Sequence, residues 1–85
     1  MTNTGVNALH MAAQGDQAKM INQLLYHYKG FDINMPDGSG ASPLIWAAFC
    51  GSEISLTYLL AQPDVNINAQ NDMGETALHM AIESQ

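Results

Sequence analysis

The feature that most constrains this chain is a self-similarity at a period of 34 to 35 residues. Gly40 to Gly51 reads GASPLIWAAFCG, and related stretches lie upstream, Gly5 to Asp16 (GVNALHMAAQGD), and downstream, Gly74 to Gln85 (GETALHMAIESQ). Each begins with Gly, has a small polar residue two places on, then Ala or Pro, then Leu, and continues as an apolar run. The spacings are 35 residues from Gly5 to Gly40 and 34 from Gly40 to Gly74. A repeat of that length means stacked supersecondary units, each too small to bury its own apolar face.

The central copy shows what one unit contains. Gly40 can turn at positive φ, where a side chain would clash. Ser42 offers an oxygen to the unpaired N–H groups of a helix start, and Pro43 at the first helical position gives up only an N–H that had no partner. Leu44, Ala47 and Ala48 then fall on one face of a short helix that Gly51 closes. Upstream, Asn7 is expected to cap a helix carrying Leu9, Met11, Ala12 and Ala13, and Gly15–Asp16 breaks it. A longer helix follows, with an apolar stripe of Met20, Ile21, Leu24, Leu25 and Tyr28 that Lys29–Gly30 ends.

The segment FDINMPDGSG cannot be helical, because Pro36, Gly38 and Gly40 favour an extended arm ending in a turn. The pattern then returns with a second long helix carrying Ile54, Leu56, Leu59 and Leu60, stopped by Pro63. In the arm that follows, Ile67 and Asn68 match Ile33 and Asn34. The first unit has one residue more before its arm, a loop insertion of the tolerated kind. The expected organisation is a single domain over 1–85, with units at about 2–36 and 37–70 and a partial third at 71–85 that lacks its second helix.

The 85 residues are too few for a large enclosed core, since a domain this small buries about 60 to 65% of its unfolded surface. Lys19 and Lys29 are the only basic residues and the net charge is −6, which argues against nucleic acid and anionic lipid as partners. No apolar run is long enough to span a bilayer and the N-terminus lacks the regions of a signal peptide, so no direct membrane insertion and a cytoplasmic location are expected. Cys50 is the only cysteine, which excludes an internal disulfide.

Helix, tight turn, longer helix and projecting arm at this period resemble the ankyrin repeat, over nearly the whole chain. The motif residues are Ser42, Pro43, Leu44, Ala47 and Ala48 in the centre and Thr76, Ala77, Leu78, His79 and Ala81 downstream. The pairs Leu24–Leu25 and Leu59–Leu60 and the arms ending in Asn34 and Asn68 add to them. Asp16 stands where the family usually has Gly, Ile45 replaces the motif His, and Ile82 replaces the second Ala. The resemblance implies an all-α ankyrin-repeat solenoid of helix-turn-helix units with projecting hairpin-like arms. It also implies that His10 and His79 hydrogen-bond a neighbouring arm, and that a partner is bound on the concave face. At finer grain, LHMAAQGD, DINMPDGSGASPLIWAAFCGSE and INAQNDMGETALH are similar to the ankyrin segment of membrane protein S-acyltransferases. The Asp-His-His-Cys motif of those enzymes is not in this sequence.

The residues carry no sign of catalysis. A metal site needs three or four converging ligands, and the sequence has no Cys/His cluster and implies no cofactor. Cys50 lacks an orienting third group and is read as a small half-buried residue; Asp72 and Glu75 are read as solvated turn acids. Trp46 and Phe49, at i and i+3, are neighbours on the surface of the short helix. Phe49 is assigned to the groove, whereas Trp46 has two readings, groove anchor or packing between units against Met11 and Met80. Gly38, Ser39, Asp72 and Met73 at the arm tips, with Ala41, Glu75, Gln14 and Glu83, complete the expected surface. Met11, Met20 and Met80 are read as packing residues. The expected function is protein–protein interaction with a protein or peptide that is basic or neutral. Self-association through uncapped ends is a further expectation.

Overall fold

The computed structural model describes residues 8–27 and 31–83. Five helices lie in this range: α1 (Ala8–Gln14), α2 (Ala18–Tyr26), α3 (Pro43–Cys50), α4 (Glu53–Leu60) and α5 (Ala77–Glu83), with no strand among the described residues. The short helices α1, α3 and α5 pack side by side. α2 and α4 form a second layer, each against the helix that precedes it and against one another; α4, expected to be the longer of its pair, equals α3 at eight residues. The expected Asn7 cap, Tyr28 and the Lys29–Gly30 stop lie outside the described residues.

The core sits between the two layers and is built from the repeated positions. Leu9, Ala12 and Ala13 of α1 and Leu44, Ala47 and Ala48 of α3 are buried, and Ile21, Leu24 and Leu59 meet them from the second layer. Alanines on the inner face allow close helix approach, and the branched side chains fill what remains. The Ser42 hydroxyl accepts the Ile45 N–H at 3.4 Å, with Pro43 at the first helical position. Gly51 closes α3 at φ 70°, and its N–H reaches the carbonyls of Ala47 and Ala48.

Several apolar expectations fail at the edges. Met11 and Met20 are exposed rather than core, as are Ile54 and Leu60 of the α4 stripe. A two-layer array buries each helix on one side only, and these residues fall beyond that side.

Polar groups join one helix pair to the next. Asp16 adopts φ 58°, the left-handed conformation that Gly51 takes after α3. Asp tolerates that region better than most side chains, and here the side chain has a use, since its Oδ1 accepts the Ser55 N–H in the first turn of α4 at 2.7 Å. The Ser52 hydroxyl donates to the Gln14 carbonyl at 3.0 Å. Asn22 donates to the Tyr58 hydroxyl, and the Tyr26 hydroxyl donates to Gln62. On the arms, Asn34 donates to the Asp64 carbonyl at 2.8 Å and accepts the Asn66 N–H at 2.7 Å.

Candidate functional site

Two arm tips and the short helices enclose the candidate site, and the tips share one turn design. Asp37 donates its N–H to the Ala41 carbonyl at 2.9 Å and accepts the Gly40 N–H on its own carbonyl at 3.0 Å. Its Oδ1 accepts the N–H groups of Ser39 and Ala41, each at 2.9 Å, and the Ser39 hydroxyl at 3.0 Å. Asn71, 34 positions on, repeats the arrangement: its Oδ1 accepts the N–H groups of Met73 and Glu75 at 3.0 Å, and its N–H donates to the Glu75 carbonyl at 3.0 Å. A side-chain oxygen that mimics a backbone turn is what Asp and Asn supply at such positions.

The tips lie against one another. The Asp72 N–H donates to the Ser39 carbonyl at 2.8 Å. Gly40, at φ 81°, is where they come closest: a Cβ there would stand 2.6 Å from Asp72 Oδ1 and 3.0 Å from the Asp72 backbone nitrogen. Both the turn and this contact therefore require glycine.

His10 ties α1 to the first tip, its Nε2 donating to the carbonyls of Met35 at 3.0 Å and Ala41 at 3.1 Å. This fixes the ring in a fully buried position, as the resemblance implied. His79 behaves differently: it is half exposed and its Nε2 lies 3.7 Å from Glu75 Oε2, an ion pair when the ring is protonated. Ile45, at the matching place in α3, is buried and has no polar atom to offer a tip.

Trp46 is half-buried against the core, its Nε1 donates to Asp37 Oδ2 at 2.8 Å, and its ring lies 5.9 Å from that of His10 at a 52° tilt. The tip thus holds the indole N–H, Met80 packs against the core beside the same cleft, and Met11 is mostly exposed. Phe49, 66% exposed, stands clear of the core on the same helix.

Trp46 and Phe49 line a cleft of about 440 Å³ with Gln14, Ser39 and Ala41, which brings together five of the expected surface residues. Asp37, Ile45, Cys50, Asn71 and Met80 also line it. Asp37 was the residue most open to detection, since an acid opening the turn of an arm, nine residues before a tryptophan, is visible in the sequence. The Cys50 side chain is exposed rather than half-buried. Ala41 is a correction of another kind: it is buried and its carbonyl is taken by His10 and Asp37, so it floors the cleft rather than presenting a free surface.

The remaining expected residues do not line the cleft. Gly38 and Met73 are exposed at the tips, Asp72 joins one tip to the other, and Glu75 accepts the Asn71 amide at 3.0 Å. Glu83 ends α5, and its side chain lies outside the described atoms.

The electrostatics of the cleft centre on Asp37. Burial pushes its carboxyl up, but hydrogen bonds from Ala41, Trp46 and Ser39 outweigh this and hold it below the ordinary carboxylate value. Partial desolvation at the cleft wall pushes the Cys50 thiol up, although its side chain is largely exposed. Among the described residues no three His, Cys, Asp or Glu side chains gather as metal ligands, and no helix is long and apolar enough to cross a membrane.

A second, apolar cleft of about 310 Å³ lies between α4 and α5, lined by Leu44, Leu56, Leu60, Ile67, Asn68, Thr76, Ala77, Leu78 and Ala81. Leu78 is 70% exposed beside it, and no described element covers it as α4 covers the matching face of α3.

Comparison with known proteins agrees with this architecture. The family model described as ankyrin repeats (3 copies) matches residues 9–85. The nuclear factor NF-kappa-B p105 subunit of Gallus gallus is 35% identical over 83 residues, covering 95% of this chain and 8% of that protein. Alpha-latrotoxin-Lg1a of Latrodectus geometricus is 30% identical over 82 residues, covering 95% of this chain and 6% of the toxin. Palmitoyltransferase AKR1 of Naumovozyma castellii is 36% identical over 59 residues, covering 66% of this chain and 8% of the enzyme. The chain thus spans less than a tenth of the length of each of these relatives.

Proposed function

The chain belongs to the ankyrin-repeat family, and from this and the geometry of the cleft we propose that it binds a partner protein, in extended form, across α1, α3 and the arm tips. Ankyrin repeats are generally protein-interaction modules without catalysis of their own. The observation that carries the proposal is the 66% exposure of Phe49 beside a half-buried Trp46 on a cleft of about 440 Å³. An exposed aromatic next to a rigidly held one is the arrangement in which binding energy concentrates. Phe49→Ala tests it: the variant is expected to keep its stability within about 0.5 kcal/mol and to lose partner affinity tenfold or more. A large loss of stability would make Phe49 a packing residue and the cleft reading wrong.

The net charge of −6 favours a basic or neutral partner, acting on encounter rate more than on affinity. A cytoplasmic location and the division into units at 2–36, 37–70 and 71–85 belong to the same proposal.

Two further readings each have an observation behind them. Identity to the palmitoyltransferase suggests that the module recruits substrates for a membrane S-acyltransferase; adjoining sequence with transmembrane helices and an Asp-His-His-Cys motif would support it. The apolar cleft beside Leu60 and Leu78 suggests self-association. Sedimentation equilibrium showing a monomer at high concentration would remove that reading.

A further inference from the structure

We propose that the cleft takes a guanidinium group, presented by an arginine of the bound segment, with its plane against Trp46 and its N–H groups directed to Asp37 Oδ2. The proposal rests on the reading of this cleft as the partner-binding surface and names the side chain it would select.

The first reason is that the turn can be formed without a charge, although the charge on Asp37 adds to its stability. Asn71 makes the same three-residue turn with the same backbone bonds, using an uncharged amide oxygen. In Asp37 that work falls entirely to Oδ1, which takes three donors, whereas Oδ2 takes only the Trp46 indole N–H. A carboxylate oxygen has room for more than one donor, so Oδ2 retains capacity on the cleft side of the turn.

The second reason is that no described basic group neutralises this anion. No Lys or Arg lines the cleft, and no described basic group forms an ion pair with Asp37. Asp37 is the only charged lining residue near neutral pH, since a cysteine thiol at its ordinary value is already protonated there. An incoming cation therefore meets one negative group and no repulsion.

The third reason is the nature of the remaining wall. Trp46, Phe49 and Met80 offer apolar surface to the methylenes of a long side chain, and the indole attracts a delocalised cation over its face. Arginine suits the pair better than lysine, since a planar fork can stack and donate at once.

The test uses N-acetyl-arginine methylamide, with the citrulline and norleucine analogues as neutral controls, titrated into the ¹⁵N-labelled chain while the Trp46 indole resonance is followed. The arginine compound should shift the Trp46 indole and the Ser39 and Cys50 amides in a saturable way, with citrulline about tenfold weaker. Asp37→Asn, which keeps a turn-forming amide as Asn71 does, should remove that difference, and raised salt should weaken arginine alone. Equal shifts from all three compounds would overturn the guanidinium assignment and leave the cleft a general groove. Shifts confined to residues outside the cleft, or none from arginine, would overturn it also. The partner-binding reading itself fails only if longer peptides also avoid the cleft.

Discussion

The Asp16 carboxylate accepts the Ser55 backbone N–H at 2.7 Å, so a side chain in the turn after α1 caps a helix 39 residues further along the chain. Ser52, the residue placed to cap α4 locally, makes no capping bond and donates instead to the Gln14 carbonyl. The second helix pair thus has its start completed by the first, which couples their folding.

Asp16→Gly should keep the left-handed turn and lose only the cap, lowering stability by about 1 kcal/mol. Asp16→Ala should lose the cap and add strain at φ 58°, for a further loss of about 1 kcal/mol. Urea unfolding of the three proteins checks this. If the glycine variant matches the parent, the inter-helix cap contributes nothing.

Gly40 and Gly74 occupy the same place in successive tips, at φ 81° and 78°. A Cβ at Gly74 would meet nothing within 4 Å, whereas one at Gly40 would press on Asp72. Gly74→Ala is expected to cost about 1 to 2 kcal/mol from backbone strain alone. Gly40→Ala should cost clearly more, because two tips must separate. Thermal denaturation of the pair reads the difference, and equal melting temperatures would mean that the tips are not in close contact.

His10 and His79 provide a comparison of buried with exposed. His10→Ala would remove the ring donor shared by the Met35 and Ala41 carbonyls, of which Ala41 keeps the Asp37 N–H, and open a space in the core, a loss of about 2 to 4 kcal/mol. His79→Ala, at a half-exposed site with a 3.7 Å contact to Glu75, should change stability by less than about 0.5 kcal/mol. Similar losses for both would show that the two histidines do the same work.

Acid should act on the tip through Asp37. Its folded-state value lies below the ordinary carboxylate value, so its ionised form contributes stability above about pH 4 that is lost as pH falls through the folded value. Asp37→Asn should be less stable than the parent at neutral pH, with the gap narrowing as pH falls. Trp46 fluorescence is the natural monitor, since its indole donates to this carboxylate. A gap that stays constant with pH would mean that the charge on Asp37 has no part in the stability of the tip.

The repeat made most of the fold legible: Leu9 and Leu44, Ala12 and Ala47, Ser42 and Gly51 each took the place that their spacing implied. Local rules reach that far because each helix and turn is specified within a few residues. What spacing does not encode is which side of a two-layer array a residue faces, so Met11, Met20 and Ile54 read as core and are exposed. The site divides in the same way. Phe49 and Gln14 follow from helix register, but the bond from Trp46 to Asp37 joins a helix to an arm tip and depends on how the arm folds back. Asp16 was visible as a departure from the family pattern; its partner, Ser55, lies in another unit.

The central claim is that a partner lies in the cleft between the short helices and the arm tips. The most direct measurement is to select peptides of about twelve residues from a random library against the chain and map the best of them by NMR amide shifts, with Phe49→Ala alongside. The expected result is a set of shifts at Gln14, Ser39, Trp46, Phe49 and Cys50, and a loss of affinity of tenfold or more in the variant. Peptides that settle on the outer faces of α2 and α4, or in the apolar cleft beside Leu60 and Leu78, and that bind Phe49→Ala equally well, would contradict it.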